Sequence, residues 1–272
     1  MSFALRPGAV LSGGQISEAE RAVRVDLAAA YRLAALNGWD DLMYTHLSAT
    51  VPGEPDHVLI NAFGLAFDEI TASNLVKINR AGQRVQPVGD WPDPAARPSV
   101  NVTGFALHAT VHAARPDALC VVHLHNTAGI AVSAQRHGLL PLSQHALLPL
   151  SQHALRFHRR LAYHDYEGLA FTPEEGARLT ASLGGHRAML RRNHGTLTVG
   201  RTVAEAHVLM ATLIKACEIQ IHALTAGAVV TPALPAADRA AEQLEDGGAV
   251  EGVLEWPALL RKLDRMDHSY RD

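Results

Sequence analysis

The chain has few cysteines, few lysines, no excess charge of either sign and no long unbroken apolar run. Each scarcity excludes something. Two cysteines in 272 residues cannot build a disulfide framework, and both Cys120 and Cys217 sit inside apolar segments as small hydrophobes. Lys+Arg number 24 against 27 Asp+Glu, so neither nucleic acid nor an anionic membrane is expected as the main partner. Apolar stretches are short or interrupted by His and Pro, which predicts no membrane span. The opening residues, MSFALRPGAVLSGGQ, lack a charged-then-apolar secretion layout, and a cytoplasmic location is expected. Only three of the basic residues are Lys, a bias of composition that carries no chemistry. What the chain has in abundance is apolar residues, at 48%, and histidine, at 16. The first suffices for a packed core; the second asks for an explanation.

Patterning predicts alternating helices and strands. Ser17-Glu18-Ala19-Glu20 is a capping box opening a helix that ends at Asn37-Gly38. Residues 75–78 and 84–86 flank a turn at 80–83 and read as a hairpin; residues 87–99 read as a proline-rich loop. A helix is expected over 102–114, a buried strand over 118–122, and a helix opened by Thr172-Pro173. Strands at 188–190 and 197–199 flank a turn at His194-Gly195. A long helix over 202–226 and a short one over 256–267 complete the chain. This interleaving predicts one α/β domain over residues 17–230, a loose lead over 1–16 and a C-terminal extension over 231–272. Residues 139–146, LLPLSQHA, recur unchanged as 147–154, which is too short a unit for a structural repeat and reads as a local duplication. Pro149 argues against one helix through both copies and offers the second a first helical position, so 147–154 is expected to begin the native helix.

His123-Leu124-His125 closes a buried strand. Alternate strand residues point the same way, so both imidazoles face one side at a strand end. That suits a divalent metal, although two ordinary surface histidines would share the spacing. Asn193-His194-Gly195 supplies a third histidine at the end of another strand. Three such donors leave a coordination position open, as in catalytic rather than structural metal sites.

The segments ARPDALCVVHLHN (114–126), LAYHDYEGLAF (161–171), MLRRNHGTLTVG (189–200), EAHVLMATLIKACEIQ (205–220) and 45–78 resemble the class II aldolase/adducin family. The resemblance implies a three-layer α/β/α sandwich and a homotetramer with active sites at subunit interfaces. It also implies one divalent metal per chain, commonly zinc, with manganese, cobalt, iron or nickel as alternatives. The family's three ligands match His123, His125 and His194. His46, Ser48, Asn61 and Gly64 match loops that line the family pocket as substrate contacts. His153, or its copy His145, falls where a neighbouring subunit supplies an acid.

Two departures bear on the reaction. The family's sugar-phosphate aldolases carry a catalytic Glu where this chain has Gly104, one helical turn before His108. Their phosphate loop reads Thr45-His46-Leu47-Ser48 here, and a Ser-Ser pair is replaced by Val102-Thr103. A phosphorylated substrate is therefore not expected, and the chain is closer to the bacterial adducin-like branch. His108, whose imidazole could reach the metal or the substrate from one turn after Gly104, is the candidate catalytic residue, as a general base or a fourth metal ligand. The leading reading is a metal-dependent lyase acting on a C–C bond next to a carbonyl of a small hydroxy or keto compound, by decarboxylation or aldol-type cleavage. A metal-dependent hydrolase at the same site and a non-catalytic adducin-like assembly module are the other two readings.

Overall fold

The computed structural model describes residues 16–85, 100–140, 153, 156–168, 172–225, 227, 234–246 and 252–272. The N-terminal lead, the 87–99 segment and nearly all of the duplicated octapeptides fall outside them.

Helix α1 (Glu18–Leu36) starts where the Ser17 side chain accepts from the Glu20 amide, and ends before Gly38, whose φ of +66° breaks the helix. Strands β1 (His46–Val51), β2 (Glu54–Ile60) and β3 (Val76–Asn79) follow. The second arm of the expected hairpin is a single bridge, Arg84 to Ile78, closed by Val85 N–H donating to Lys77 O. Next come α2 (Val102–Ala114), β4 (Cys120–Leu124), α3 (Thr127–Ser133) and β5 (Leu161–His164). They lead to α4 (Pro173–Leu183), β6 (Ala188–Arg191), β7 (Gly195–Gly200), α5 (Val203–Thr225), α6 (Leu234–Asp246) and α7 (Glu255–Met266).

The strands form one seven-stranded sheet in the order β3-β2-β1-β4-β7-β6-β5, antiparallel except for the β5–β6 pair. Strand alternation sends residues to two faces, and helices cover both. On one face Val121, Met189, Leu197 and Val199 pack against Leu107 and Val111 of α2 and Leu179 and Leu183 of α4. On the other, Leu47, Cys120, Val122 and Leu124 meet Leu27 and Tyr31 of α1 and Met210 and Ile214 of α5. This is the expected three-layer arrangement.

Two elements take their role from what they pack against. Helix α5 has 23 residues and is long and apolar enough, by length and composition alone, to cross a membrane. Val203, Ala206, Leu209, Met210, Leu213, Ile214 and Cys217 are buried in the core clusters, so its apolarity serves packing against the sheet. The chain beyond α6 is also structural: Trp256, Leu263 and Tyr270 join the same core as α1, and the Ala72 amide donates to Tyr270 O.

One edge of the sheet matters for chemistry. The ends of β4, β5 and β6 lie beside the starts of β1 and β7, because His46 pairs with His123 and Arg191 pairs with both Gly195 and His164.

Candidate active site

The motif Asn193-His194-Gly195 has a separate backbone reason for each residue. Asn193 adopts φ +54°, a left-handed conformation that Asn tolerates well among residues with a side chain. Gly195 pairs with Arg191 at the start of β7, where any Cβ would stand 2.5 Å from the Leu124 carbonyl. Between them, the turn holds the His194 ring 5.1 Å from that of His123 and 4.8 Å from that of His125, centroid to centroid.

Hydrogen bonds on the far nitrogen fix which ring atom His123 and His125 present. His123 Nδ1–H donates to Thr196 O at 2.9 Å, so its Nε2 is a lone pair. His125 Nδ1 faces Asp41 Oδ2 at 3.0 Å, and its buried Nε2 has no partner among the described residues. His194 Nε2 accepts from Arg191 Nη1 at 3.3 Å and lies 3.3 Å from His123 Nε2. Burial, then Arg191 and His125, lower His194 to a pKa of about 3; burial and the neighbouring histidines also hold His123 well below the ordinary value. Two neutral rings thus hold their unprotonated Nε2 atoms 3.3 Å apart, and the one lone pair of His194 Nε2, which accepts from Arg191 here, would pass to a bound ion and release that Nη1–H. Zn–N bonds of about 2.0–2.1 Å at a tetrahedral angle set neighbouring nitrogens about 3.3–3.4 Å apart. One donor atom from each histidine lies within 4.8 Å of the others, and these three form the one such group among the described residues. The donor set fits a divalent metal.

A second polar group runs beneath it. Residues two apart in a strand advance about 6.6 Å and residues four apart in a helix about 6 Å, so the two series stay in step. His46, Ser48 and Thr50 of β1 therefore meet Gly104, His108 and His112 of α2. At the first step, a Cβ on residue 104 would fall 2.6 Å from His46 Nδ1, so the His46 ring fills the room a larger residue would need. At the second, Ser48 Oγ lies 2.6 Å from His108 Nδ1 and 2.8 Å from His112 Nε2.

The tautomers of this group follow in sequence. Burial lowers His112 to a pKa of about 4, so it is neutral, and its Nδ1–H donates to Ala118 O at 2.7 Å. Its Nε2 is then an acceptor, and the Ser48 hydroxyl donates to it. Ser48 Oγ consequently accepts from His108 Nδ1–H. His108 Nε2 is left as a buried lone pair with no partner among the described residues.

The other expected residues separate into two groups. His46 is buried, with its pKa lowered to about 3 by burial and by His125, and its Nε2 is unpartnered among the described residues. Asn61 is buried, and its Oδ1 accepts from the Tyr31 hydroxyl of α1 at 2.9 Å. Gly64 and His153 are exposed, and no contact among the described residues sets either beside the three histidines.

Sequence reasoning missed Asp41, Arg191 and Tyr166, whose ring lies 6.4 Å from that of His194. Asp41 stands in a loop after α1, far along the chain from His125, and only the fold joins them. Arg191 could have been flagged: it ends a buried strand three residues before a candidate ligand, where a charge is unexpected.

The profile of the Class II Aldolase and Adducin N-terminal domain matches residues 25–221. The chain belongs to that family. A solved aldolase II superfamily protein from Pseudomonas syringae is 46% identical, with a TM-score of 0.85 over 95% of this chain and 98% of that one. L-fuculose 1-phosphate aldolase from Glaciozyma antarctica PI12 is 26% identical, with a TM-score of 0.79 over 96% of each chain. Mouse α-adducin is 39% identical over 206 residues, which span 75% of this chain and 26% of the adducin. The family thus includes proteins named as aldolases and proteins named as adducins, and side chains must decide between the readings.

Proposed function

We propose that this class II aldolase/adducin family member is a divalent-metal-dependent lyase that cleaves a C–C bond next to a carbonyl. The observation that carries this reading is the grouping of one donor nitrogen from each of His123, His125 and His194 within 4.8 Å of one another at one sheet edge, which a scaffold would have no need to build. Zinc is the proposed ion, given an all-nitrogen donor set. When bound, it would polarise the substrate carbonyl and stabilise the enolate left by bond cleavage.

The remaining chemistry belongs to the chain. His108 Nε2 is an acceptor and takes the proton of the substrate hydroxyl as the bond breaks. Burial disfavours the resulting imidazolium, so the same nitrogen returns the proton to the enolate carbon. Ser48 fixes the tautomer that makes this possible. His46, in the room of the absent residue-104 side chain, and Asn61 are assigned to the pocket wall. Gly64 and His153 are retained as outer contacts, His153 toward a neighbouring subunit of a tetramer.

Metal analysis and turnover on a panel of small hydroxy and keto acids test the reading. The purified protein is expected to hold one zinc per chain and His125→Ala none, with activity abolished. Ser48→Ala should keep zinc and lose about 10- to 100-fold in kcat, less than His108→Ala, which removes the acid/base itself. L-fuculose 1-phosphate should not turn over at about 1 per second or more. Full zinc occupancy in His125→Ala, or no cleavage of any panel member by the zinc-loaded protein, would overturn the proposal.

A further inference from the structure

The charge of the site makes a demand on its substrate. Imidazoles bind a divalent ion as uncharged donors, so the three histidines would offset none of its charge, and Gly104 brings no carboxylate to the group. Arg191 closes β6 on the same face and edge as His123, and its side chain is only 7% exposed. Nη2 donates to Glu175 Oε1 at 2.9 Å, Nη1 donates to His194 Nε2 at 3.3 Å, and Nε has no partner among the described residues.

A guanidinium has five N–H donors in a rigid fork, and a buried one is costly unless acceptors meet them. Glu175, the third residue of α4 and itself buried, meets one edge. A purely structural pair would place further acceptors on the other edge. Here that edge meets only His194 Nε2, whose single lone pair a bound ion would take, leaving both the Nη1–H and the Nε–H without an acceptor among the described residues. Counting charges, Arg191 and Glu175 cancel, Asp41 contributes one negative charge through His125, and a divalent ion would leave the centre at +1. A singly charged anion balances it.

Resting on the metal-dependent lyase reading, we propose that Arg191 is the carboxylate-recognition residue of this site, and that the substrate is a small hydroxy- or oxo-acid with a free carboxylate. A carboxylate is favoured over a phosphate ester because the free donors are few. The neighbouring Arg192 is committed elsewhere, donating to Ser133 O and Gln135 O with its guanidinium over the Tyr163 ring. Buried Lys77 is held by Glu20 and Glu54. What remains on Arg191 matches a planar two-oxygen group better than a tetrahedral dianion.

Calorimetric titration of the zinc-loaded full chain with glycolate, its neutral isostere glycolamide and inorganic phosphate provides the test. The wild-type protein is expected to prefer glycolate over glycolamide by about tenfold or more in Kd. Arg191→Gln should bring the two within about threefold while zinc content and glycolamide affinity stay unchanged. Arg191→Lys keeps a charge for Glu175 but loses the fork, and should weaken glycolate about tenfold even if the Gln variant fails to fold. Glu175→Gln breaks the same ion pair yet keeps the guanidinium, so it should retain the preference. If it behaves like Arg191→Gln, Arg191 acts only through α4 and the proposal is wrong. It is equally overturned if a folded, zinc-loaded Arg191→Gln still prefers glycolate. Phosphate binding tighter than glycolate and dependent on Arg191 would assign the site to phosphate esters instead. A wild-type chain that holds no zinc would instead remove the lyase reading on which the proposal stands.

Discussion

His194 and His207 are both buried by the fold and both lose basicity for it, to pKa values of about 3 and about 4. Their surroundings differ completely. His207, on α5 at the opposite face of the sheet, is wedged between Trp39 and Trp256 with ring centroids 5.8 and 5.5 Å away. Its depressed basicity has burial as its only cause. His194 stands with His123 and His125, one donor atom of each within 4.8 Å of the others. The pair teaches that a shifted imidazole marks burial, and that only convergence of donor atoms marks chemistry.

The comparison can be broken by substitution. His194→Ala should remove both zinc and activity, because two imidazoles and no carboxylate cannot hold the ion. His207→Phe should leave zinc content and kcat unchanged, since the ring serves only to fill space between two indoles. Metal analysis after gel filtration, with turnover on the same samples, decides it. Loss of zinc from the His207 variant would show that the two faces are coupled in a way their contacts do not indicate.

A smaller effect separates the site's own two layers. His46 fills the space beside Gly104, so Gly104→Ala forces a buried ring to move and should cost about 1–3 kcal/mol of stability. His46→Ala opens that space, and in its background Gly104→Ala should be nearly neutral, giving a clear coupling energy in urea denaturation. Additive costs would mean that the ring can step aside freely.

Most of the scaffold and the grouping of His123, His125 and His194 could be read from the sequence, because they rest on local rules. Capping residues mark α1, Thr172-Pro173 marks α4, and strand alternation sends His123 and Val121 to the same face. Asn193 and Gly195 announce a turn that only those residue types accommodate easily. The side-chain pairings of the site could not be read, because they join distant segments: Asp41 with His125, Ser48 with His108, Arg191 with Glu175. The room that His46 takes from residue 104 is legible only once β1 and α2 lie side by side. Helix α5 was read at nearly its full length, but not the elements that cover it, since composition reports apolarity and not its neighbours.

The pH dependence of stability sharpens the contrast further. In the folded chain His207 is neutral down to about pH 4, whereas unfolded it returns to the ordinary value near 6.5. Between those limits the unfolded state binds one more proton, so acid favours unfolding and stability rises with pH through the window. His207→Phe should therefore flatten the stability slope of the metal-free protein by about 1.4 kcal/mol per pH unit between about pH 4 and 6.5. No change in slope would mean that the ring is already solvated.

The smallest expected effect concerns the duplicated octapeptide, whose copies lie almost wholly outside the described residues. The chain around them is fastened at both ends. On one side the Leu139 amide donates to the Tyr163 hydroxyl and the Leu140 amide to Gln220 Oε1; on the other, Phe157 is buried in the core. Eight extra residues within a helix would turn its following face by about 80°, at about 100° per residue, which a packed core could not absorb. Between two anchored points the same eight residues change mainly the length of chain to be closed, and halving such a length alters the closure cost by only about 0.6 kcal/mol. Deleting residues 147–154 should therefore leave the melting transition and zinc content close to those of the full chain. Substrate preference or oligomer stability should shift, as expected if the segment borders a neighbouring subunit's pocket. A deletion variant that cannot fold would place the duplication inside the core and sink this account.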